Sequence, residues 1–141
     1  MRALVPPRRA WGLMALVLAG DLLSFGVFAV LGLMSHQTAV TLQGILRNAV
    51  PLAVAWLIVG GVLGAFHPSA VSHPRVAWWR VVGPWLVAGL VGLWLRSEWL
   101  HRPLVVPVVV IFLGGNALLL MLWRVAVSLW LVRRPLATKE T

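Results

Sequence analysis

Apolar residues in this chain neither alternate nor recur at spaced positions. They run on in four long stretches, at about 11–34, 45–66, 78–96 and 104–132, separated by short polar or proline-containing turns. A hydrocarbon core of about 30 Å takes about 20 helical residues to cross, so each stretch is long enough for one crossing. Strands of a membrane barrel would instead alternate apolar and polar residues in segments of about ten. In lipid every backbone polar group must be satisfied internally, which an uninterrupted apolar run achieves as a helix. The pattern therefore predicts an all-α, polytopic integral membrane protein, a bundle of four transmembrane helices. It forms one membrane domain over 1–141, in which 133–141 is a short tail.

Composition strengthens that reading: 61% of residues are apolar and the mean hydropathy is +0.95, too apolar to cover a soluble globule with polar surface. The formal charge of +9 taken alone suggests nucleic acid, but its distribution does not. Four crossings put both termini and the second loop on one side. That side collects Arg2, Arg8, Arg9, Arg75, Arg80, Arg133, Arg134 and Lys139, against Arg47, Arg96 and Arg102 opposite. This asymmetry predicts cytoplasmic termini in a multi-pass protein of the cell (inner or cytoplasmic) membrane, with the bilayer and its anionic headgroups as partner and no nucleic acid. The first run continues to Met34, longer than the apolar core of a signal peptide, and is read as the first span.

The absence of cysteine excludes disulfides, thiolate nucleophiles and covalent haem attachment. Nine tryptophans stand where tyrosine is absent. Trp11, Trp78, Trp79, Trp99 and Trp130 fall near predicted span ends, where an amphipathic ring is favoured. Trp56, Trp85, Trp94 and Trp123 lie deeper and are expected either to pack the core or, as the alternative, to line a pocket. Small residues at Gly60 and Gly64, Ala88 and Gly92, and Gly114 and Gly115 are expected to let helices of the bundle approach.

Asp21 interrupts a stretch otherwise uncharged from Ala10 to Gln37. A carboxylate at that depth is costly unless it faces the interior and finds a partner. Ser24 adds a second polar group to its face. Asp21 lies ten residues into the first span and Arg124 eight residues from the end of the fourth, depths that agree within about one turn at 1.5 Å per residue. An Asp21–Arg124 ion pair is one expectation. The other is that the fourth span ends near Trp123, so that Arg124 reaches the interface and Asp21 is left to hydrogen bonds and water. Asn116, deep in the fourth span, is expected to bond across helices, and Pro51 to kink the second.

At the opposite side Ser35 and His36 close the first span, Arg47 opens the second and Arg96 ends the third. These four form either an anion-attracting vestibule or independent interfacial anchors. His67 and His73 flank the second loop without a nearby acid, a poor metal site. No metal and no cofactor are expected.

The ordered set "GDLLSFGVFAVLGLMSH", then Pro51, then "GLWLR" (Gly92 to Arg96), then "LWR" (Leu122 to Arg124) resembles the bacterial and archaeal membrane family catalogued as domain of unknown function 3054. The resemblance covers about residues 13–131. The family's second span tends to read Trp-Pro-Phe where this chain has Val50-Pro51-Leu52. The resemblance implies a four-helix membrane fold, with Asp21, Ser35, His36, Pro51, Arg96 and Arg124 at the family's positions, and it carries no established activity.

Two function classes follow. The first is a transporter of a small solute or ion, linked to protons through Asp21 and Arg124, with His36, Arg47 and Arg96 at its entry. Four spans are few to enclose a pathway, so it would be a homo-oligomer. The second is a non-catalytic membrane subunit or lipid-binding structural protein in which the pair only fixes helix register. With no second acid beside a nucleophile and no phosphate loop, an enzyme is not expected.

Overall fold

The computed structural model describes residues 8–67, 70 and 74–133. They form four helices: α1 (Arg8–Ser35), α2 (Leu42–Val62), α3 (Pro74–Leu100) and α4 (Val106–Arg133). All four are long and apolar enough to cross a membrane, and no strand occurs among the described residues.

Helix ends are set by local chemistry that hydropathy does not register. Thr41 caps α2, its hydroxyl accepting from the Gly44 N–H at 3.1 Å, so the helix begins three residues before the apolar run does. It also ends early. Gly64 adopts φ +76°, and the Ala65 N–H turns back to the Gly60 carbonyl at 2.8 Å, the left-handed closure that glycine makes without steric penalty. Residues 63–66, apolar and counted in the expected span, therefore form a turn. α1 and α3 close in the same way through Gln37 (φ 52°) and His101 (φ 48°), with Thr38 N–H bonded to Leu33 O at 2.9 Å and Arg102 N–H to Ser97 O at 3.2 Å. The third helix extends beyond the expected 78–96 at both ends. It opens on Pro74, whose missing N–H is no loss in a first turn. Arg133 is the last residue of α4, and the rest of the predicted tail lies outside the described residues, as does His73.

The helices pack as a four-membered ring, each touching its neighbours in the order α1, α2, α3, α4 and back to α1. Contacts run antiparallel: Asp21 meets Arg124 while Phe28, seven residues on, meets Phe112. The start of α1 and the finish of α4 thus share one end of the bundle, called here the terminal end.

Hydrophobic transfer gives little drive between helices already in lipid, so packing and polar contacts must hold them. Three rings from three helices meet at the centre. Phe25 stacks on Trp85 (centroids 5.6 Å, 26°) and meets Trp56 edge-on (6.5 Å, 89°), while Trp56 meets Trp85 at 5.9 Å and 68°. Leu52, Leu93, Phe112 and Leu120 continue this core along the axis. Trp94 departs from expectation, since it is 56% exposed on the outer surface. The outer faces carry Leu23, Ile58, Leu90, Ile111 and Leu118, the apolar exterior that a lipid-embedded bundle requires.

Glycine serves this packing unevenly. Gly64 belongs to the turn after α2, so it does not form a helical small-residue pair with Gly60. Gly92 does bring helices together: a Cβ there would lie 3.1 Å from the Leu52 backbone. Pro51 sits buried inside α2, and Pro84, unremarked in the sequence, is likewise buried inside α3.

Candidate functional site

Four-residue spacing builds the site on two facing helices. On α1, Val17, Asp21, Phe25 and Ala29 all point inward; on α4, Phe112, Asn116, Leu120, Arg124 and Ser128 do so. Positions four apart lie on one face of a helix, so each stripe needs only one charged member to place a charge in the core.

Those charged members meet. Arg124 Nε donates to Asp21 Oδ1 at 2.9 Å and its Nη2 donates to Asp21 Oδ2, a bidentate fork between side chains that are both 0% exposed. The pair is completed from α2. Trp56 Nε1–H donates to Asp21 Oδ2 at 3.0 Å, so both carboxylate oxygens accept. Arg124 Nη1 donates to the Ala65 carbonyl at 2.8 Å, in the turn that ends α2. Its guanidinium also lies 6.0 Å from the Trp56 ring and 5.9 Å from the Phe66 ring, within reach of a cation–π attraction. Such surroundings answer the desolvation problem, since a buried ion pair is tolerated only with good geometry and with its remaining polar atoms engaged. Of the two alternatives for Arg124, the geometry is that of the pair.

The residue before each charge completes the α1–α4 seam. Gly20 precedes Asp21, Trp123 precedes Arg124, and the Trp123 indole lies where a Cβ on Gly20 would have to be. Trp123 Nε1–H donates to the Val17 carbonyl at 3.3 Å. A glycine therefore admits the indole to the α1 backbone and lets the neighbouring side chains close on each other.

Among the other polar residues, Asn116 departs from expectation. Asn116 does not bond across helices: its Nδ2 donates to Phe112 O, one turn back in its own helix, at 2.9 Å, and its Oδ1 is buried without a partner. The amide is taken by the carbonyl one turn back, the local bond that asparagine offers a helix. Ser24 likewise bonds Gly20 O within α1, at 2.8 Å. Ser128, which drew no notice in the sequence, is buried one turn beyond Arg124 with an unpartnered hydroxyl.

At the opposite end Ser35 bonds its own helix at Gly32 O (2.9 Å), and His36 and Arg47 are exposed. Arg96 is half-buried and donates through Nε to Asn48 Oδ1 at 3.0 Å, linking α3 to α2. No hydrogen bond or ion pair joins Ser35, His36, Arg47 and Arg96 to one another among the described residues. Nor do three His, Asp or Glu side chains gather there in a way that could hold a metal ion.

The family model described as "Protein of unknown function (DUF3054)" matches residues 18–127, a range that includes Gly20, Asp21, Trp56, Trp123 and Arg124. No curated protein and no solved structure matches the chain.

Proposed function

The chain belongs to the DUF3054 family of proteins of unknown function, and from that premise we propose that it is a non-catalytic membrane subunit whose intramembrane ion pair fixes the register of its helices. One observation carries this reading. Asp21 and Arg124 satisfy each other, take their further bonds from Trp56 and Ala65, and are 0% exposed. A titratable gate needs water at its charges in at least one state, and a register lock needs them sealed. The seal of Trp56, Phe66 and the 63–66 turn over the guanidinium favours the lock.

The same reading orients the protein in the cytoplasmic membrane with its terminal end inside. Arg75, Arg80 and Arg133 are exposed there, on the side where the sequence concentrates basic residues. The outward apolar faces are left to lipid and to partner helices.

The test is reconstitution of the full chain in liposomes carrying an internal pH dye. The subunit reading predicts no proton or solute flux above that of empty vesicles, together with a loss of thermal stability in Asp21→Asn. A pH-driven flux that disappears in a folded Asp21→Asn variant would overturn it in favour of the homo-oligomeric transporter.

A further inference from the structure

At the end of the bundle opposite the termini, a groove of about 810 Å³ runs along α2 beside the finish of α3. Leu42, Gln43, Leu46, Arg47, Val50 and Trp99 line it. The α2 members fall on one helical face over about 12 Å, from the eight-residue rise between Leu42 and Val50. That length suits the upper part of an extended acyl chain. Leu42 (73%), Leu46 (48%) and Trp99 (54%) are exposed, so the groove opens outward to the bilayer rather than into the core.

Its depth is set by α2, whose 21 residues span about 32 Å, close to the hydrocarbon thickness. The start of α2 therefore lies at the boundary between hydrocarbon and headgroups. Arg47 is rooted about 8 Å below that boundary and must extend its stem toward it, which brings the guanidinium to the inner edge of the headgroup region. Arg47 is exposed and makes no hydrogen bond or ion pair among the described residues, unlike Arg96 on the adjoining face, which is held by Asn48. Arg47 is the charged member of the lining, and with Arg96, Arg102 and the single acid Glu98 at the same end, this end of the bundle carries a surplus of positive charge.

We propose that this groove is a binding site for an anionic phospholipid, its headgroup on Arg47 and an acyl chain along Leu46 and Val50 against Trp99. Charge complementarity selects the lipid: a zwitterionic headgroup offers phosphate but no net charge to the basic rim. The site does not rest on the subunit reading, because flux in liposomes would leave it standing and loss of lipid selectivity would leave that reading standing.

Native mass spectrometry of the full chain, released from micelles containing phosphatidylglycerol or phosphatidylcholine with identical acyl chains, tests it. Wild-type protein is expected to retain phosphatidylglycerol in preference, and Arg47→Gln to lower that retention about fivefold, the effect of one basic residue at a membrane surface. Retention of phosphatidylcholine should not change, and Arg75→Gln at the terminal end should have no effect. Leu46→Trp, which fills the groove, should lower retention of both lipids. The proposal is overturned if Arg47→Gln leaves phosphatidylglycerol retention unchanged, if Arg75→Gln lowers it equally, if the two lipids are held alike, or if a Leu46→Cys variant cross-links to a second copy through the groove.

Discussion

Arg124 on α4 grips both carboxylate oxygens of Asp21 on α1, 103 residues earlier in the chain, with neither side chain reaching the surface. The contact joins the first helix to the last and, through Ala65 and Trp56, ties both to the end of α2. One cluster thus engages three of the four helices, and its disruption has consequences in each.

Trp56 is the neutral member, and Trp56→Phe keeps a ring in the aromatic core while removing the indole N–H. A hydrogen bond to a charged group contributes about 1.5–3 kcal/mol. Trp56→Phe is expected to destabilise the bundle by about that amount, and by clearly less in an Asp21→Asn background. Unfolding in detergent, followed by the emission of the remaining tryptophans, measures both.

Gly20 is the residue that admits Trp123. Gly20→Ala should push the indole from the α1 backbone and destabilise by about 1–3 kcal/mol, as overpacking does. Gly26→Ala, six residues along the same helix with open space at its Cβ position, should be neutral or slightly stabilising. Melting temperatures of the two variants side by side decide it.

Ser128 buries a hydroxyl without a partner. An unsatisfied buried polar group costs about 1–3 kcal/mol, so Ser128→Ala is expected to raise stability by about 1 kcal/mol at the low end of that range. A melting temperature lowered by Ser128→Ala would mean that the hydroxyl has a bonding partner in the membrane.

The four crossings were legible because an apolar run of about 20 residues has few other uses. The ion pair was legible because Asp21 and Arg124 are the deep charges of two helices that antiparallel packing sets side by side at matching depth. Trp56 was not, since an indole in an apolar helix reads as core until the depth of its N–H is known, and that depth depends on where α2 ends. The end itself was hidden because residues 63–66 are as apolar as the helix before them; what stops α2 is the backbone of Gly64 at φ +76°. The closure at Gln37 was invisible for a related reason, as glutamine does not advertise a left-handed turn; histidine is enriched in that conformation, but a single His101 does not by itself place one. Asn116 was misread because spacing says which face a side chain occupies and not whether an acceptor waits across from it.

The central claim is that Asp21 and Arg124 act as one unit. A double-mutant cycle with Asp21→Asn and Arg124→Gln, read by reversible unfolding in mixed micelles, tests it most directly. Each single variant leaves one buried charge without its partner and should lose about 3–5 kcal/mol. The double variant, left with two neutral amides, should lose far less than the sum, by a coupling of at least about 2 kcal/mol. Losses that simply add would contradict the account.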